Sequence, residues 1–62
     1  MEVSVIIPVY NAEEWIADAV SSVVNQEYVR EVILSEDGSS DNSLTICGTL
    51  TKSNPKVRLV RH

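Results

Sequence analysis

The chain has 62 residues, 44% hydrophobic and 23% charged, a balance that fits a globular fold and excludes a disordered or fibrous one. A domain of this size buries only about 60% of the surface its unfolded chain exposes, so whatever core it forms is small and marginal on its own. Its formal net charge is -4, and Lys52, Lys56, Arg58 and Arg61 come late with no aromatic residues between them, which excludes a nucleic-acid surface.

No stretch approaches the roughly 20 apolar residues of a membrane span. The longest apolar run, Val5-Ile6-Ile7-Pro8-Val9-Tyr10, is preceded by Glu2 and lacks the basic flank and cleavage site of a secretory signal, so a cytoplasmic location is expected. The lone Cys47 has no disulfide partner, and no Cys or His stands at metal-ligand spacing, so this chain is expected to bind no metal or other cofactor. His62 ends the chain without a partner residue.

Taken in chain order, Val3 to Val9 is an apolar, β-branched run interrupted by Ser4 and Pro8, the pattern of a central strand buried on both faces of a parallel sheet. Asn11 then reads as a helix N-cap with Glu14 three residues on, and Tyr10 and Trp15 stand where a hydrophobic staple would form. Trp15, Ile16, Ala19, Val20, Val23 and Val24 recur at helical spacing, which predicts a helix over residues 12–26 with Trp15 in the core. Val32-Ile33-Leu34 is a second, shorter strand, ending in the turn-rich loop Ser35-Glu36-Asp37-Gly38-Ser39-Ser40. Ser40 or Asp41 can cap a second helix, whose inward stripe is Leu44, Cys47 and Leu50 with Ile46. Gly48 and several Ser and Thr residues weaken that helix, and Asn54-Pro55 closes it. Val57, Leu59 and Val60 make a third strand.

This β-α-β-α-β order predicts an α/β fold with a three-stranded parallel sheet and right-handed crossovers, most simply ordered third, second, first strand. The first strand then keeps an open apolar edge. Such an edge invites pairing, so either further protein adds strands there or two copies meet as a homo-oligomer.

Ligands of open α/β sheets bind at the carboxyl ends of the strands. Two segments converge there: Pro8-Val9-Tyr10-Asn11 after the first strand and Glu36-Asp37-Gly38-Ser39 after the second. The first has no glycine-rich turn, which argues against a dinucleotide fingerprint. It offers instead an aromatic face beside a rigid proline, suited to stacking on a base. The second offers a carboxylate, which accepts hydrogen bonds only and so selects a ribose hydroxyl or a pyrimidine ring N–H. Gly38 supplies a sharp turn that leaves Asp37 facing the cleft. More ordinary roles stand beside these: Tyr10 as a helix staple, Asp37-Gly38 as a turn pair, Glu36 as a solvated loop acid, and Cys47 as core. A receiver-like phosphoacceptor domain would carry its acid pair after the first strand, where this chain has Tyr10-Asn11.

Three stretches in register, Val3-Ser4-Val5-Ile6-Ile7-Pro8-Val9-Tyr10-Asn11, Ser22-Val23-Val24-Asn25-Gln26 and Glu36-Asp37-Gly38-Ser39-Ser40-Asp41-Asn42-Ser43, together resemble the opening of the family 2 glycosyltransferases of A-type fold. The resemblance covers essentially the whole chain. It implies a Rossmann-like half-domain over residues 1–62, the nucleotide-sugar-binding front of a longer protein, with a nucleotide sugar such as a UDP-sugar as partner. Tyr10 would stack on the base, Pro8 and Val9 would line its pocket, and Asp37, with Gly38 beside it, would bind the base's ring N–H. Glu36 stands where the family usually has a first Asp, and the loop between Tyr28 and Val32 looks about one residue shorter than in many members. The family's later Asp-x-Asp motif, which holds Mn or Mg on the donor diphosphate, and its later carboxylate base are absent. The resemblance therefore implies that the chain alone does not transfer sugar. The alternative is a non-catalytic module that pairs through its open sheet edge.

Overall fold

The computed structural model describes residues 2–61, so His62 lies outside the described residues. The elements are β1 (Val3–Val9), α1 (Ile16–Val24), β2 (Val29–Glu36), α2 (Ser43–Ser53) and β3 (Val57–Arg61). The strands form one parallel sheet in the order β1-β2-β3, as the alternation of elements predicts. Because both crossovers step in the same direction across the sheet, right-handed connections put both helices on one face. α1 packs on β2, α2 packs on β3, and the helices touch each other. Between the layers lie Val9, Ala12, Ile16, Val20, Val29, Val32, Leu34, Cys47 and Val57, all buried.

The reading of β1 as a central strand buried on both faces is corrected. β1 is an edge strand whose residues alternate between partly buried and exposed, ending in buried Val9. Ile6 is 65% exposed. An unbroken apolar run encodes a strand but not the cover on each face, and here the helices cover only one.

The first helix is shorter than its periodicity predicts. It starts at Ile16, and residues 12–15 form a turn in which the amides of Trp15 and Ile16 both donate to the Ala12 carbonyl, at 3.0 and 2.9 Å. The amides of Ala12 and Glu13, which a helix start would leave unpaired, are satisfied by Ser43 at the start of the second helix and by Asp41 in the loop before it. Asn11 does not cap the helix; its side chain accepts from Ser40. Trp15 is 47% exposed rather than core, and the expected staple partner Tyr10 is exposed as well. Ile16 and Val20 carry the buried stripe.

β2 is longer than the apolar triplet that announced it. Val3 pairs with Val29 and Ser4 with Glu31, so Arg30 is an extra residue at an irregularity near the start of the strand. In α2 the N-cap position is Asn42, two residues beyond Ser40 and one beyond Asp41, although the Asp41 carboxylate accepts from the Ser43 amide at 2.9 Å. Cys47 is buried on the inward stripe, with Leu50 and Ile46 packed beside it. No helix among the described residues is long and apolar enough to cross a membrane.

Candidate functional site at the carboxyl ends of the first two strands

β1 and β2 run in register to their last residues, where Val9 pairs with Glu36. The Asp37 amide donates to the Val9 carbonyl at 3.0 Å, which carries the ladder one bond further. Tyr10 and Asp37 therefore leave the sheet side by side. Both chains then turn through left-handed backbone, at Asn11 (φ 49°) and Gly38 (φ 76°). Asn and Gly are the residues that tolerate this conformation at least cost. A side chain at position 38 would have open space around it, so the backbone angle is what calls for glycine there.

The two loops are stitched together by side chains. The Asn11 amide donates to Ser39 Oγ at 2.9 Å, and Asn11 Oδ1 accepts from the Ser40 amide at 2.8 Å. The Ala12 amide donates to buried Ser43 Oγ at 2.6 Å, and the Glu13 amide to Asp41 Oδ2 at 3.3 Å. Asn42 Nδ2 returns a bond to Glu13 Oε2 at 3.3 Å. Loops without such bonds move on their own; these two are clasped into one shelf.

Glu36 anchors the second loop from below. It is 2% exposed, and its carboxylate accepts from the Gly38 amide at 3.1 Å and the Ser39 amide at 2.6 Å. The Ser39 hydroxyl and amide hold its carboxyl below the ordinary range; burial opposes them, while the Gly38 amide and the Arg61 charge assist. Burial raises the Asp41 carboxyl, but hydrogen bonds from Ser43 and the Glu13 amide outweigh it and leave the group lowered. Burial pushes the Cys47 thiol up, and the Glu36 charge adds to this, so Cys47 is a protonated core residue and a poor nucleophile.

Of the residues the sequence singles out, the structure gathers Pro8, Tyr10, Asp37 and Gly38 in exposed positions around the shelf. Tyr10 is 62% exposed. Val9 lies between them with its side chain fully buried, so what it sets is the level of the shelf rather than a side-chain surface. The described residues enclose no pocket. Reading Glu36 as a solvated loop acid is corrected by its burial and its two amide bonds. Its place was readable in the two-residue period of Val32, Leu34 and Glu36, which puts all three on the core face. Ser43 was missed likewise, although it stands four residues before Cys47 on the inward stripe of α2. Among the described residues, no group of three or more His, Cys, Asp or Glu side chains is placed to hold a metal ion.

The model of Glycosyl transferase family 2 matches residues 4–62. The chain belongs to this family. Similar proteins include the glycosyltransferase GlyG of Streptococcus pneumoniae, 36% identical over 94% of this chain and 20% of its own length. The chondroitin synthase of Pasteurella multocida is 42% identical over 94% of this chain and 6% of its own length. An uncharacterized glycosyltransferase of Escherichia coli, YibD, is 38% identical over 95% of this chain and 17% of its own length. The chain thus spans a fifth or less of the length of these relatives. The matched region contains both arms of the shelf and the clasp between them.

Proposed function

We propose that this chain forms the nucleoside-holding part of a family 2 glycosyltransferase that takes its sugar from a nucleotide sugar, a UDP-sugar in the first instance. The observation that carries the reading is the placement of exposed Tyr10 and Asp37 directly after the paired strand ends Val9 and Glu36, held by the clasped loops. The phenol ring offers a face for a base to stack on, a contact worth about 1–3 kcal/mol per base. The Asp37 carboxylate accepts the ring N–H of a uracil or a ribose hydroxyl, and Pro8 stiffens the approach to Tyr10. Orientation is the contribution of these residues. Transfer itself requires charge neutralisation on the leaving diphosphate and a base for the acceptor, and this chain is proposed to supply neither.

The test is a titration of the chain with UDP and other nucleotides, with and without manganese, followed by amide NMR. Shifts centred on Tyr10 and Asp37 that do not need metal are expected. The absence of shifts with every nucleotide would overturn the reading, and sugar transfer by the chain alone would overturn its division of labour.

A second reading, a pairing module, is favoured by one observation: β1 stands at the sheet edge with Ile6 exposed. It predicts a concentration-dependent dimer in sedimentation, and a monomer at all concentrations would remove it.

A further inference from the structure

We propose that Glu36 is a positioning residue that ties the Tyr10 arm of the shelf to the Asp37 arm through Ser39, whose amide it accepts and whose Oγ accepts from Asn11, so that both arms are set by one buried carboxylate. The inference rests on the proposed nucleoside shelf and adds a residue that does not touch the ligand in that reading.

The geometry runs as a relay. Glu36 closes its own loop by accepting the Gly38 and Ser39 amides, which fixes the turn that follows Asp37. The shorter of these two bonds, 2.6 Å from the Ser39 amide, fixes the Ser39 backbone against the carboxylate. A hydroxyl has one proton and two acceptor positions. With its amide held by Glu36, Ser39 presents Oγ to the first loop, and the Asn11 amide donates to it at 2.9 Å. Asn11 sits in left-handed backbone directly after Tyr10, a conformation that persists only where the surroundings hold it. The bond from Ser39 is one such hold, and the Ser40 amide on Asn11 Oδ1 is another. The backbone directly after Tyr10 is thus held partly from a carboxylate on the neighbouring strand.

Charge matters as well as shape. An ionised carboxylate makes shorter and roughly twice stronger hydrogen bonds than a neutral acceptor, and here it offers one oxygen to each of two amide donors. A glutamine at 36 keeps one acceptor oxygen and adds two protons that face donors. An aspartate keeps both oxygens and is the residue the family resemblance puts at this place.

The experiment compares the chain with its Glu36→Gln, Glu36→Asp and Ser39→Ala variants by amide hydrogen exchange without nucleotide, and then by UDP titration. In Glu36→Gln the amides of Gly38, Ser39 and Asn11 should all exchange faster by roughly tenfold or more, the scale of a lost charge-assisted bond, while those of Val20 and Leu34 keep their protection. Glu36→Asp should restore the protection. Ser39→Ala leaves the carboxylate in place and should expose the Asn11 amide while Gly38 stays protected. UDP affinity should fall by about the same factor in Glu36→Gln and Ser39→Ala and recover in Glu36→Asp.

The tie is overturned if Asn11 keeps its protection in Ser39→Ala, or if Val20 and Leu34 lose protection together with the loops in Glu36→Gln, which would make Glu36 a general stabiliser. If Glu36→Gln fails to fold, Ser39→Ala decides alone. Where the unmodified chain binds UDP, unchanged affinity in both variants also overturns the tie. Where the unmodified chain binds no nucleotide, the nucleoside reading fails, and the exchange measurements still judge the tie by themselves.

Discussion

The two faces of the sheet draw on alternate residues of the same three strands, and they are built to different ends. On the face that carries the helices, Val9, Val32, Leu34 and Val57 are buried. On the other face Ile6 is 65% and Val60 42% exposed. The open face has its own short polar row, in which Ser4 Oγ donates to Glu31 at 2.9 Å and Arg58 lies 3.5 Å from the same carboxylate. Above that row come the cross-strand pairs of Ile6 with Ile33 and of Ser35 with Val60. The covered side also ends in polar residues, but there Glu36 of the sheet and Ser43 of α2 are buried and their side chains accept loop amides. The comparison shows where the candidate site gets its rigidity. The shelf is the polar end of the covered core, and the open face contributes to it only through exposed Pro8.

Substitutions that separate the faces should rank accordingly. Leu34→Ala, in the middle of the covered core, is expected to cost about 2–5 kcal/mol, enough to abolish a cooperative urea transition in so small a domain. A sharp transition with an unchanged midpoint would mean that the covered face is not the core. Ser43→Ala strands the buried Ala12 amide and should cost about 1–3 kcal/mol in the same measurement, with faster exchange at Ala12. A loss confined to Ala12 exchange, with no change in midpoint, would show that the clasp orders the shelf without stabilising the core.

Acidification probes the same boundary. The Glu36 and Asp41 carboxyls are both lowered in the folded chain relative to their ordinary values. A lowered folded value means that their contribution is fully present above the ordinary carboxylate range and is lost as pH falls through the lowered value. The loop amides of Gly38 and Ser39 should therefore lose protection at acid pH before the β2 core amides do. Protection that stays constant, or that rises on acidification, would contradict the sign.

Much of this arrangement is legible in the residues themselves. The apolar runs at Val3 and Val32, the helical stripe from Ile16 and the turn residues at Gly38 suffice for an α/β alternation and for the two converging segments. What the residues do not disclose locally is how the segments share hydrogen bonds. Asn11 has the composition of an N-cap, and only the nearness of Ser39 and Ser40 turns it into a clasp residue. Trp15 has helical spacing with the core stripe, but the helix starts after it, which leaves the indole outside. Glu36 is the instructive case, because its period placed it inward while its loop neighbours suggested solvent. Period was the better guide, since a buried carboxylate surrounded by amide donors is a satisfied group.

The smallest expected effect is on the open face. Ile6→Thr keeps a β-branched side chain and removes little buried surface, because Ile6 is largely exposed and its main neighbour across the strand is Ile33. The change in urea midpoint should correspond to less than about 0.5 kcal/mol, the range of ordinary surface substitutions. A parallel sheet is usually covered on both faces, so this face has the composition of one that could be covered. A cost near that of Leu34→Ala would mean that the side chain is buried in solution. Dependence of that cost on protein concentration would then distinguish a second copy as the cover, and a concentration-independent cost would mean that the chain itself folds over Ile6.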